Sequence, residues 1–442
     1  MFTCYRFDHT RTAYQYLCGL FQSERRNMER MEEAVVGVDY EVIQHFISGS
    51  SWDARAVMDR VAEQADGLLG GTGRSALILD ETAFAKKGRG SAGVARQYNG
   101  RLGKVDNAQV AVCGALSAGD RAVLVDMALF LPEEWTNDPA RCRKVGVPPE
   151  ETRFRTKPEL AVEIVRRQRA AGIRFDYVLA DGLYGHSGEF CRALADDGET
   201  FLVHVHSNHR VYLDDPRPAL PVRSTGRGRP AVKLRAQSDP VRVDALCSSL
   251  SPDSFKRIRV RETTTSGLEV EAFQGPVWVW DGEEETARRL ILYIRRDVAS
   301  PDDIRYCLTN APEGTPLGML AYMEAQRYFI EHAFEEAKGQ VGMAQYQVRG
   351  WMAWHHHMAL VMMAMLFLTK QRMVHQEAHP LLSCHDIKLL LAHFLPKRQT
   401  SIEEILRQME VRHHKRLAAS THAARRKRKE GIAKFMPFNL TK

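Results

Sequence analysis

Two short apolar runs that each end in an aspartate constrain the fold of this chain more than any other feature. Residues 75–80 read Ser-Ala-Leu-Ile-Leu-Asp, and residues 175–181 read Phe-Asp-Tyr-Val-Leu-Ala-Asp. A continuous apolar run of this length between polar segments has the pattern of a buried strand. Between the two lie β-like runs at residues 109–116 and 121–131, separated by Ser-Ala-Gly-Asp, which together predict a hairpin. Pro158 near the start and Gly172 just past the end bracket a helix over 159–171. A further helix at 187–197 and a strand at 201–206 complete the order strand, strand, strand, helix, strand, helix, strand. That order predicts an α/β fold built on a mixed sheet.

The flanks differ in kind. Residues 1–70 are polar with apolar positions at helical spacing, as in 42–46 and 52–65, and predict a helical N-terminal domain. After a first core segment, 71–206, residues 207–315 are rich in turn formers and carry β-like runs at 258–263, 268–273, 277–280 and 290–294, a β-rich insertion. Helical period returns over 317–338 and 351–369, within a second core segment at 316–376, and a basic helical region closes the chain at 377–442.

The longest unbroken apolar run, 358–368, is about half of the roughly 20 residues that cross a bilayer. The first residues hold no continuous apolar region. Eight cysteines with no CxxC pair suit reduced thiols, so a cytoplasmic, nucleoid-associated protein with no membrane partner is expected. Net charge is +7, and residues 411–442 alone carry +9 from ten Lys and Arg against Glu430. Such a cluster attracts polyanions, although a solvated helix end has the same composition.

Asp80 and Asp181 are placed by the pattern at strand C-termini, where a cleft opens in sheets of this kind. Two carboxylates on neighbouring strands can share a hard divalent cation, and a third acid completes such a site. On the helix predicted over 317–338, Arg327, Glu331 and Lys338 are four and seven residues apart and share one stripe, while Ile330, Phe334 and Ala337 supply the apolar side. Glu331 can then face metal while Arg327 and Lys338 face phosphate. An ordinary amphipathic helix with a polar face has the same spacing.

The wording around these acids resembles the insertion-sequence transposases of the DDE superfamily endonuclease branch. The segment Leu79-Asp80-Glu81-Thr82 with Phe84, Lys86-Lys87-Gly88, Gly93-Val94-Ala95-Arg96-Gln97-Tyr98 and Gly103-Lys104 is similar to their first-aspartate block. Ala180-Asp181 with Tyr184-Gly185 resembles the second, and Ile330-Glu331 with Phe334, Glu336-Ala337-Lys338 and Gly342 the glutamate block. The likeness spans about residues 28–368. It implies a ribonuclease-H-like core in which Asp80, Asp181 and Glu331 bind two Mg²⁺ ions, with Mn²⁺ able to substitute. It further implies nicking of element ends, attack of the freed 3′-hydroxyl on target DNA, and a homodimer or higher assembly on DNA.

A related group carries Tyr, Arg, Glu and Lys at spacings that fall on Glu324, Arg327, Glu331 and Lys338, so three of four positions agree and Tyr322 stands two residues from the fourth. In that group a tryptophan of the insertion stabilises a flipped base, which makes Trp280 the candidate here, with strand packing as its other reading. Lys86, Lys87, Arg96 and Lys104, on the Gly-rich stretch after the first acid, are expected to hold DNA phosphates. A metal-dependent nuclease or resolvase, or a domesticated non-catalytic DNA-binding protein, remains open on the same residues.

Weaker signals complete the inventory. Consecutive helical residues point about 100° apart, so His355, His356 and His357 are not expected to converge on one ion. His375, His379, Cys384 and His385 fit no standard finger spacing. Gly226-Arg-Gly-Arg-Pro230 has the look of a minor-groove hook or a basic loop.

Overall fold

The computed structural model describes residues 1–4, 7–221, 231–262, 267–399 and 401–435; the Gly226–Pro230 segment and residues 436–442 lie outside it. A small hairpin, β1 (Thr3–Cys4) and β2 (Phe7–Asp8), precedes α1 (Thr10–Gln22), α2 (Met28–Ala34), α3 (Tyr40–Ser48) and α4 (Ala54–Leu69). The N-terminal region is thus helical apart from that hairpin. Asn27, Asp39 and Asp53 cap α2, α3 and α4 by accepting from amides of the first turn, which fixes where these helices start. The buried stripe Val57, Met58, Val61, Ala62, Ala65 and Leu69 then docks α4 onto the core.

The central region runs β3 (Ala76–Ala85), β4 (Ala95–Asn99), β5 (Lys104–Ala118), β6 (Arg121–Leu129), α5 (Glu133–Thr136), α6 (Pro139–Lys144), α7 (Lys157–Ala170), β7 (Tyr177–Ala180), α8 (Gly182–Gly185), α9 (Gly188–Asp196) and β8 (Phe201–Val205). The start of α7 is a capping box of Thr156 and Glu159 with Pro158 in the first turn, and Gly172 just beyond it takes φ +78°. In the sheet the order is β6-β5-β3-β7-β8, with β3, β7 and β8 parallel and β5 antiparallel to β3. With β4, which extends only the far end of β5, set aside, the count along the chain is 3-2-1-4-5, the order expected of a ribonuclease-H-like core, in which α7 and α9 supply the crossovers that parallel partners need.

The insertion continues the same sheet. After β9 (Arg210–Val211), β10 (Val241–Arg242) and α10 (Val243–Ser249) come β11 (Lys256–Glu262), β12 (Gly267–Val279), β13 (Arg288–Asp297) and β14 (Ile304–Thr309). β14 pairs with β8, so ten strands form one hydrogen-bonded sheet among the described residues. Two runs predicted as separate strands, 268–273 and 277–280, are one strand: Gln274, Gly275 and Pro276 stay in register opposite Tyr293, Leu292 and Ile291. Neither β14 nor β4 was anticipated; β4 lies in a stretch whose glycines and charges mask its extended backbone.

The chain ends in α11 (Leu317–Gln326), α12 (Tyr328–Gln340), α13 (Trp351–Val374), α14 (Cys384–Phe394) and α15 (Ile402–Phe435). α13 is long and apolar enough to cross a bilayer, yet 78% of its most apolar window is buried inside the fold, against α4, α3, α1 and β6. Asp126 of β6, fully buried, accepts from Arg55 of α4 at 2.6 Å and from Arg167 and Gln168 of α7 at 2.7 and 2.8 Å. It joins three layers of the molecule through one carboxylate.

Candidate active site

The parallel register of β3 and β7 sets Leu79 beside Ala180, so the next residues, Asp80 and Asp181, leave the paired region side by side. Both acids were expected at strand ends, and for Asp80 the structure corrects this. β3 continues to Ala85 because β5 pairs with it throughout, with Asp80 opposite Cys113. β7 alone stops, and Asp181 caps α8 by accepting from the Leu183 amide at 2.9 Å. Burial and the neighbouring Asp181 carboxylate push the Asp80 carboxyl up from 3.8 to about 7, with Arg327 opposing them.

The helix predicted over 317–338 is two helices, parted at Arg327, whose amide bonds the Glu324 carbonyl three residues back at 3.2 Å. Beyond that joint the predicted stripe holds, since Ile330, Phe334 and Ala337 are buried and Glu331 faces outward with half its side chain exposed. The Arg327 guanidinium lies 3.5 Å from Asp80 and donates to Glu331. Burial disfavours its charge, but Glu331, Asp80 and Asp181 outweigh burial and hold it above the usual arginine range. Asp80, Glu81, Glu331, Glu335 and Lys338 line one cleft of about 950 Å³.

Over residues 1–267 the chain matches the family described as DDE superfamily endonuclease. The chain belongs to that family. A probable transposase for insertion sequence element IS701, from Microchaete diplosiphon, is 33% identical to it over 206 residues, 46% of this chain and 50% of that protein. The chain therefore spans about half the length of the curated relative it matches. The NurA nuclease of Sulfolobus solfataricus aligns over 73% of this chain and 93% of its own at a TM-score of 0.26 and 10% identity, too little to bear on fold or site.

In this DDE superfamily endonuclease no three His, Cys, Asp or Glu side chains among the described residues stand close enough to share an ion as arranged. Arg327 is a positive charge between two of the acids, Asp80 and Glu331. The donor chemistry nonetheless fits a hard divalent cation: the convergent groups are carboxylates, and one of them is disfavoured as an anion by the next. Glu324, where the related signature has tyrosine, does not face the cleft. It is buried, accepts from Arg295 at 2.7 Å and lies 3.5 Å from His204. Burial alone would raise it, yet His204 and Arg295 hold it down at about 2.

Several side chains hold the loop beyond β3. Asn107 donates to the carbonyls of Lys86 and Gly88, Gln109 to that of Ala92, and the Trp135 indole to that of Val94. Lys87, Arg96 and Lys104 are exposed, whereas the Lys86 amine is turned inward, 3.4 Å from the Tyr346 ring centre, where burial pushes it down to about 7. Trp280 donates its indole N–H to the Glu284 carbonyl in the β12–β13 loop and is not among the residues lining the cleft. Glu81, next to Asp80, is engaged by Lys157 at 2.7 Å and by the buried Tyr184 hydroxyl at 3.2 Å.

The three histidines of α13 go separate ways: His355 to the Trp351 carbonyl, His356 to those of Ile47 and Trp52, and His357 to the Tyr16 hydroxyl. His385 meets Gln340, and Cys384 meets Arg372. Gly185 is held by contact, because a Cβ there would collide with the His204 carbonyl oxygen. Gly185→Ala should therefore cost about 2–3 kcal/mol by forcing α8 off β8, read as a lower denaturation midpoint with an unchanged slope. Retention of the wild-type midpoint would show that α8 can move freely.

Proposed function

We propose that this chain is the DNA transposase of an insertion sequence. In this reading Asp80, Asp181 and Glu331 hold two divalent cations, Mg²⁺ with Mn²⁺ as a substitute. Bound there, the ions would activate water and neutralise the charge of the departing oxygen at a phosphodiester. The observation that carries the reading is the approach of two carboxylates, Asp80 and Glu331, to one guanidinium, with Asp181 set beside Asp80 by the strand register. A site built only for stability would not crowd acids in this way, whereas one that takes up cations must.

The chain's own groups then have defined tasks. Asp80 and Asp181 are fixed by the β3–β7 register and the α8 cap, and Glu331 on α12 lines the same cleft as Asp80 and is linked to it through Arg327. Arg327 holds Glu331 in place, and Lys338, which lines the cleft with Glu331, meets the phosphates of the cut strand together with Arg327. Lys87, Arg96 and Lys104, with Lys86 behind them, extend the phosphate track, and Trp280 is retained as a base contact of the insertion. The helices before residue 70 read the terminal inverted repeats of double-stranded DNA, and the basic region after residue 377 adds non-specific affinity. Two copies or more act together in the cytoplasm, since joining needs both element ends.

An assay with Mg²⁺ and duplexes made from the DNA flanking the reading frame tests this. Joined products that disappear with EDTA are expected. Cleavage without joining would assign a nuclease, and tight binding without chemistry a domesticated binder.

A further inference from the structure

The hairpin of β4 and β5 borders the acid cleft and presents an apolar face that nothing in the fold covers. Its strands pair from Ala95 opposite Ala108 to Asn99 opposite Lys104, and the turn between them is residues 100–103. β4 is the last strand on its side of the sheet. Tyr98 and Val105 are direct cross-strand partners, so their side chains share one face, and they are 62% and 51% exposed. Leu102 at the turn is 45% exposed. Together the three form a contiguous exposed apolar patch, the kind of surface that marks an interaction site.

The next residue along β4 faces the other way. Asn99 lines the cleft that holds Asp80, Glu331 and Lys338, as does Gly100. It is 2% exposed, and its Oδ1 accepts no hydrogen bond although it is buried. A buried acceptor without a donor is costly, and a ligand carrying an N–H would relieve it. Arg96 shares the face of the apolar pair and Lys104, opposite Asn99, lies on the other; both are exposed, against a single acid on the hairpin, Asp106, whose carboxylate accepts from the Asn107 amide.

We propose that this hairpin is a wedge that parts a DNA duplex beside the cleavage site. Tyr98, Val105 and Leu102 stack on the last intact base pair, Arg96 and Lys104 take the phosphates on either side, and Asn99 accepts from the displaced base as its strand enters the cleft. Apolar side chains inserted at a base step separate it in this way, with the unstacking offset by new stacking on the protein. The occupant is DNA because the hairpin carries a cation on each face and borders the acids; a second copy of the chain would gain nothing from the cleft-facing Asn99. The inference rests on the reading of the chain as a DNA-cutting enzyme.

The test uses the full chain and the doubly substituted variant Tyr98→Ser with Val105→Ser, both exposed positions, with thermal melting to confirm the fold. Each is given Mg²⁺ and flanking-DNA duplexes that are either fully paired or carry a short mismatched bubble at the cut site, with 2-aminopurine beside it. Wild type should raise 2-aminopurine fluorescence on the paired duplex. The variant should fail to do so and cut that duplex on the order of tenfold more slowly, yet cut the bubble substrate nearly as wild type. Equal loss on both substrates, or no loss on either, overturns the wedge while leaving the enzyme reading intact. A wild-type dimer that dissociates in the variant would assign the face to self-association and overturns it too. Wild type that neither binds nor cuts any duplex removes the underlying reading as well.

Discussion

Asp80→Asn is expected to abolish cutting and joining while making the metal-free protein more stable. Losing a carboxylate that holds a catalytic cation removes several kcal/mol of transition-state stabilisation, on the order of a 10³-fold fall in rate. The stability gain follows from the same geometry. The folded Asp80 carboxyl titrates at about 7 against an ordinary 3.8, because it is buried beside Asp181. A folded value above the unfolded one means the group's contribution is fully present below about pH 4 and is lost as pH rises through about 7. At pH 8 in EDTA the charged carboxylate therefore costs roughly 2–4 kcal/mol, which asparagine does not incur. A higher melting temperature for the variant at pH 8, shrinking toward zero at pH 4, together with lost activity, is the expected pair. A variant that melts lower at pH 8 would mean that Arg327 fully compensates Asp80, and activity that survives would remove Asp80 from the site.

Asp126→Ala should produce the largest loss of stability of any single change considered. The side chain is fully buried and pairs with Arg55, Arg167 and Gln168, so alanine leaves the buried Gln168 amide and two arginines, each about one-third exposed, without their shared acceptor. Removing one partner of a buried ion pair costs about 3–5 kcal/mol. Burial alone would raise this carboxyl, but the two arginines outweigh it and hold it below 3.8. A lowered folded value gives the opposite sign to Asp80: the contribution is present above about pH 4 and disappears as pH falls through the lowered folded value. Denaturant midpoints at pH 7 should fall steeply for Asp126→Ala and far less for Asp126→Asn, which keeps the shape and part of the bonding. Equal midpoints for wild type and Asp126→Ala would show that Arg55 and Arg167 simply rehydrate.

Elements with a strong local pattern were readable in the chain. The Asp80 strand, the Gln109–Leu116 and Arg121–Leu131 hairpin and α7 with its Pro158 and Gly172 were anticipated because apolar period and end signals agree there. β4 and β14 were missed for different reasons: one is hidden among glycines and charges, the other sits beside Pro301 and reads as turn. The joint at Arg327 was invisible because its residues continue the helical period on both sides. Asp126 offered a signal that went unused: an acid inside an apolar strand, with no turn former beside it, needs a partner from elsewhere.

Taken alone, the sequence determined the α/β class, the family motifs and the identity of the acids Asp80, Asp181 and Glu331 as candidates, since each depends on residues near one another in the chain. Only the tertiary structure decided what those acids meet. The β3–β7 register brings Asp80 to Asp181, the packing of α12 brings Arg327 between Asp80 and Glu331, and the β4–β5 hairpin brings Asn99 into the same cleft. Those meetings span up to about 250 residues of chain. They are set by strand pairing and side-chain packing across the whole core, which leave no local period to read.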